Sequence, residues 1–164
     1  VRFWSTQARE KARHYQHCEV GYNYRMSNIA AGIGRGQLKV LDRRIAKKRY
    51  IFEFYKRQLN GLDGIRFMPI NDWNEPNCWL SCITLTGQVR PADIMEALDN
   101  ENIESRPIWK PMHMQPVFEK CDFIGDGISE KLFENGVCLP SDTKMTDDDL
   151  LRVCNVIKGL WTYS

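Results

Sequence analysis

Between residues 27 and 59 the chain carries no proline, and Ile29, Ile33, Gln37, Val40, Leu41, Ile45, Phe52 and Leu59 recur mostly three, four or seven positions apart. That period predicts one long helix, because residues at such offsets share a face of the 3.6-residue turn. Ser27 or Asn28 supplies its cap, and Asn60-Gly61 supplies its stop. A helix of about 30 residues runs roughly 45 Å, longer than a small domain is wide. Such a helix joins two bodies, so the expected organisation has two parts.

Beyond it the texture changes to short strands and short helices, the pattern of an α+β unit. Ile65-Arg66-Phe67-Met68 reads as a first strand and residues 79–85 as a second, ended by Gly87. Pro91 opens a helix through Ala97-Leu98, sitting where its missing N–H costs nothing. Residues 105–109 are expected to be extended, since a residue before proline avoids the α region. Ser129 is the expected cap of a short helix that Gly136 closes, followed by a strand over residues 137–140. Thr146 followed by Asp147, Asp148 and Asp149 marks a helix start, combining a hydroxyl cap with carboxylates at the positive end of the helix dipole. Residues 6–17, with few apolar anchors, read as a solvated helix.

The 164 residues suffice to bury a core, and no apolar run approaches the roughly 20 residues needed to cross a bilayer. The net charge of +2 hides a division. Residues 1–59 hold 14 Lys and Arg against 4 Asp and Glu, and residues 60–164 hold 9 against 17. The basic stretch 35–59, with nine cations and two acids, makes a polyanion or nucleic-acid helix one reading, although its aromatics fall on several faces and no reader module accompanies it. Val1-Arg2-Phe3-Trp4-Ser5 lacks the order of a secretory signal and suggests a processed or truncated chain. Six cysteines without a secretory cue are expected to be reduced thiols in a cytoplasmic protein, and no ligand spacing completes a metal set.

Two segments carry candidate chemistry. Gly32-Ile33-Gly34-Arg35-Gly36 has the glycines of a dinucleotide loop without its preceding strand or its spacing, so close helix packing is the better reading. The loop before the long helix offers an amide at Asn23, a guanidinium fork at Arg25 and the free N–H groups of a helix start, all suited to an anion.

Three separated segments then add a resemblance. GYNYRMSNIAAGIGRGQLKVLDRR (residues 21–44), SRPIWKPMHMQPVF (residues 105–118) and LFENGVCLPSDTKMTDDDL (residues 132–150) resemble, in that order, the carboxy-terminal part of the DegT family of sugar aminotransferases. The resemblance implies a fold type I enzyme that uses pyridoxal phosphate. It also implies a homodimer with shared active sites, moving an amino group, usually from glutamate, onto the keto carbon of a nucleotide-linked sugar. Residues 1–59 would then be the tail of the large domain plus the connecting helix. Residues 60–164 would be the small domain, a few-stranded and mainly antiparallel sheet with helices.

By the same resemblance, Asn23 would reach the cofactor phosphate across the dimer, and Arg25 would lie near it. His113 would approach the sugar, with Trp109 and Lys110 lining the sugar-nucleotide pocket. The Schiff-base lysine would lie upstream of Val1, since none of the ten lysines stands in its expected context. The chain would therefore supply the rim of a catalytic centre and be inactive alone, with no catalytic residue of its own, no metal, and no nucleic-acid or membrane partner.

Overall fold

A computed structural model describes residues 1–162, which form two compact units that divide between Leu41 and Asp42. The expected single helix is interrupted. Helix α1 spans Asn28–Leu38 and α2 spans Leu41–Leu59. Between them the Val40 N–H donates to the Gln37 carbonyl at 3.1 Å, three residues back, a 3₁₀-type tightening that ends the α ladder. Ser27 is the cap of α1, its Oγ accepting from the Ala30 N–H at 3.1 Å. No residue of α1 is buried, and Ile29 and Ile33 are exposed. A Cβ placed on Gly32, Gly34 or Gly36 would meet nothing within 4 Å, so these glycines do not mediate close packing within the chain.

Residues 6–17 are not a helix. They run as turns and extended chain tied by isolated bridges between Thr6 and Asn23 and between Arg9 and His17. Gln7 and Ala8 sit at φ 68° and 49°, outside the right-handed helical region. A short segment with few apolar anchors gains too little from a helix to nucleate one. Here the backbone finds tertiary partners instead: the Gln7 N–H donates to the Tyr22 carbonyl and the Tyr22 N–H to the Trp4 carbonyl. Gly21 fits because a Cβ there would lie 2.3 Å from the Ala8 nitrogen.

The second unit is an α+β body, as expected. Strands β1 (Ile65–Phe67), β2 (Ser81–Leu85), β3 (Arg106–Pro107) and β4 (Gly136–Leu139) form one antiparallel sheet in the order β1-β2-β4-β3. Alternation along β2 sends Ser81, Ile83 and Leu85 inward and leaves Cys82 and Thr84 on the opposite face. Against the inner face pack Ile51, Tyr55 and Leu59 of α2, Ile94 and Leu98 of α3 (Pro91–Asn100), and Leu150, Val153 and Ile157 of α5 (Asp147–Gly159). Helix α2 is therefore part of this body rather than a strut leading to it, and the units divide after Leu41, not at residue 59.

Local signals mostly fall where the sequence puts them. Thr146 caps α5: its Oγ1 accepts from the Asp149 N–H at 3.2 Å, and Asp149 returns a bond to the Thr146 N–H at 2.8 Å. Helix α4 (Ile128–Asn135) is different. Its N-terminal neighbour is Gly127 at φ 80°, and Asp126 Oδ1 accepts from the Ile128 N–H, so Ser129 lies inside the helix rather than at its cap. No described helix is long and apolar enough to cross a membrane.

Candidate functional site

In the first unit, the bridge between Thr6 and Asn23 folds residues 6–12 against the loop before α1. The result is a cleft of about 590 Å³ whose walls include Arg9, Lys11, Asn23 and Arg25, with Glu10 as its acid. Asn23 Oδ1 accepts from the Arg25 N–H at 3.4 Å, which turns the amide so that its NH₂ is left to donate elsewhere. Three cationic side chains and one amide donor suit a multiply charged oxyanion such as a phosphate. Asn23 and Arg25 thus share one cleft, and the start of α1 is not among its walls. Arg9 and Lys11 are additions that sequence reasoning missed, since they reach the cleft only through the non-helical course of residues 6–17.

In the second unit, a 3₁₀ turn at Met112–Met114 presents His113 to α4. Its Nε2 lies 2.7 Å from Glu130 Oε1, and its ring stacks on Phe123 with centroids 3.5 Å apart and planes 16° apart. A carboxylate can only accept, so Nε2 carries the proton and donates. Nδ1 has no protein partner among the described residues and is left for a ligand. The Glu130 carboxyl is held below its ordinary range, chiefly by its own backbone N–H and further by Ser129 and His113. Neither Glu130 nor Phe123 was legible in advance, because each lies 10 or more positions from His113 and no local period links them.

Trp109 and His113, four residues apart, line different cavities. His113 borders a small one with Met112, Phe118 and Phe123. Trp109, its ring 6.3 Å from that of Trp79, borders one of about 530 Å³ with Lys48, Arg106, Cys138 and Ser141. Lys110 is exposed, is not a wall of that cavity, and has no hydrogen-bond or ion-pair partner among the described residues. Trp109 and Lys110, expected together at the sugar nucleotide, do not share this cavity.

Lys48 lies on α2. Its Nζ donates to the Ser141 carbonyl, and burial draws its pKa down against the pull of Asp142. Other cations of the basic stretch are similarly engaged: Arg44 with Thr143, and Arg49 with Glu75 and the Pro76 carbonyl. The aromatics Phe52, Phe54 and Tyr55 are buried. From Leu41 on, the stretch is a helix packed on its own unit, and some of its cations are engaged there. Among the described residues no group of three or more His, Cys, Asp or Glu is placed to hold a metal ion.

The model of the DegT/DnrJ/EryC1/StrS aminotransferase family matches residues 2–158, and the chain belongs to that family. Pyridoxal phosphate is the cofactor of these aminotransferases. Among relatives, the chain is 49% identical over 165 residues to EpsN of Bacillus subtilis (strain 168), whose name places it with the pyridoxal phosphate-dependent aminotransferases. That alignment covers 98% of this chain and 42% of EpsN. A GDP-perosamine synthase of Vibrio cholerae is 36% identical over 155 residues, covering 90% of this chain and 41% of the synthase. The fold superposes on the crystal structure of the aminotransferase TlmJ from Streptoalloteichus hindustanus with a TM-score of 0.84 at 21% identity, covering 99% of this chain and 44% of TlmJ. The chain spans less than half the length of the curated relatives it matches.

Proposed function

We propose that this chain is the carboxy-terminal part of an aminotransferase that moves an amino group, from glutamate, onto the keto carbon of a nucleotide-linked sugar. The observation that carries this reading is the cleft in which Asn23 and Arg25 converge with Arg9 and Lys11, in a chain that belongs to a family of sugar aminotransferases. The donor set fits the cofactor's phosphate: an amide NH₂, two guanidinium forks and an ammonium are the groups that bind a phosphate dianion. When bound, pyridoxal phosphate supplies a ring that takes up carbanion charge.

The residues of this chain bind and orient. Asn23 and Arg25 hold the phosphate end, fixing the reach of whatever lies beyond it. His113, positioned by Glu130 and Phe123, offers Nδ1 as a hydrogen-bond group to a sugar hydroxyl or phosphate oxygen. Trp109 supplies an aromatic wall and Lys110 a mobile cation for the sugar nucleotide. The protein works as a homodimer in the cytoplasm, and the exposed Ile29 and Ile33 of α1 suit a face buried in that assembly. The lysine that carries the cofactor belongs to another part of the protein, so the 164 residues alone are not competent.

The test compares this chain with the longest form its gene encodes. Each is mixed with pyridoxal phosphate, reduced with borohydride and mapped by mass spectrometry, and each is assayed for amino transfer from glutamate to nucleotide-linked keto-sugars. The longer form should carry the cofactor on one lysine and turn over, and the 164 residues should do neither. A specific lysine adduct on the short chain overturns its incompetence. Failure of the longer form to aminate any nucleotide-linked keto-sugar overturns the substrate class.

A further inference from the structure

Strands β2 and β4 pair in a register that sets Cys82 directly opposite Cys138. Ile83 and Val137, one position along each strand, point into the core, so both thiols occupy the other face of the sheet. On β3, Arg106 is in turn the register partner of Cys138. Cys82, Cys138 and Arg106 therefore form one row across three strands.

Directly opposed residues of an antiparallel pair have Cα atoms about 4.5–5.5 Å apart, within the roughly 4.4–6.8 Å that a disulfide spans. The two Sγ atoms already lie 3.6 Å apart. Closing that gap to a bond of about 2.05 Å asks for side-chain rotation, not a new strand register. Cys138 is only 6% exposed and is one of the walls of the 530 Å³ cavity bordered by Lys48 and Arg106, while Cys82 is half-buried and is not among those walls. A volume of that order admits a small organic molecule.

We propose that Cys82 and Cys138 are a redox-active dithiol, reached at this cavity through Cys138, which a small-molecule disulfide such as glutathione disulfide converts to a cross-strand disulfide. The Cys138 thiolate attacks one sulfur of the incoming disulfide. A mixed disulfide forms on Cys138, and the first small thiolate leaves. Cys82 then gives up its proton and attacks Cys138 Sγ, the bond between the two cysteines forms, and the second small thiolate departs. The two protein thiols lose two protons and two electrons in total, and the reagent gains them as two thiols.

Electrostatics support the order of attack. The hydrogen bond shared with Cys82 draws the Cys138 thiol down, while the same bond and burial push Cys82 up. Cys154, buried without a thiol partner, is instead pushed up to about 11 by its burial. The exposed Cys18 and Cys121 have no second thiol to resolve a mixed disulfide.

The folded chain is incubated with glutathione disulfide, quenched with acid, alkylated and mapped by mass spectrometry without reduction. A peptide joining Cys82 to Cys138, two hydrogens lighter than the paired thiols, is the expected product. Cys82→Ser should retain glutathione on Cys138, and Cys138→Ser should leave Cys82 unmodified. If the native chain instead shows Cys82 and Cys138 both alkylated while Cys18 or Cys121 carries glutathione, the proposal is wrong. Glutathione on Cys82 rather than on Cys138 overturns the order of attack. The map of the unsubstituted chain decides the first question even if neither variant folds.

Discussion

Glu130 fixes His113 by accepting the Nε2 proton at 2.7 Å, across 17 positions of sequence and from a different element. The carboxyl is held below its ordinary value of 4.5, first by its own backbone N–H and then by Ser129 and His113, so these contacts together stabilise the folded chain above that value and their contribution is lost as pH falls through the lower folded value. Thermal melts should show the wild type losing stability into acid with a steeper slope than Glu130→Gln. If the two curves run parallel, the contact does not contribute. In the longest form of the protein, Glu130→Gln should raise KM for the sugar nucleotide more than it lowers kcat, because it disturbs the aim of His113 rather than the reacting atoms.

Asn23 and Arg25 converge on one cleft. Asn23→Ala or Arg25→Ala should each weaken pyridoxal phosphate about tenfold, or ~1.4 kcal/mol, in the longest form of the protein. Pyridoxal, which lacks the phosphate, should bind the variants and the parent alike. Equal losses for both compounds, measured by equilibrium titration, would place the two residues somewhere other than the phosphate.

Core and surface should part sharply. Leu98→Ala removes a fully buried side chain and should cost about 2–5 kcal/mol. Ile33→Ala, on a side chain 61% exposed, should change the stability of this chain by less than about 0.5 kcal/mol. Urea unfolding checks both, and a large loss at Ile33 would mean that α1 is covered in solution.

At the start of α5, Thr146→Ala removes the acceptor for the Asp149 N–H and should cost about 1 kcal/mol. Asp149 is itself drawn below its ordinary range, first by the Thr146 backbone N–H and then by its hydroxyl. The part of the box that runs through the Asp149 carboxylate should therefore be present at neutral pH and be lost in acid, and the difference in urea midpoint between Thr146→Ala and wild type should shrink, without vanishing, as pH falls.

The second unit was largely legible because its signals are local. Pro91, the run from Thr146 to Asp149 and the alternation in β2 act within one turn or one strand. The breaks in legibility have physical causes. Residues 6–17 take their conformation from long-range backbone bonds such as Gln7 to Tyr22. The interruption near Val40 carries no glycine or proline to announce it, and nothing in the structure explains why it falls there. At the site, Asn23 and Arg25 are neighbours in sequence and could be paired by reading. Arg9, Lys11, Glu130 and Phe123 join them or His113 only by folding.

The strand order carries a consequence for synthesis. β4, the last of these four strands to leave the ribosome, lies between β2 and β3, and among the described residues β3 bonds to the sheet only through it. A nascent chain that has emerged as far as Ile108 holds three strands and only one pair of neighbours among them. The sheet closes when Gly136–Leu139 arrives, and its inner face, already met by apolar residues of α2 and α3, gains its remaining cover when Leu150, Val153 and Ile157 of α5 follow. Residues through α5 must therefore leave the ribosome before this unit is stable, and until then β2, apolar on alternate positions, presents an open edge to which chaperones or other nascent strands can pair.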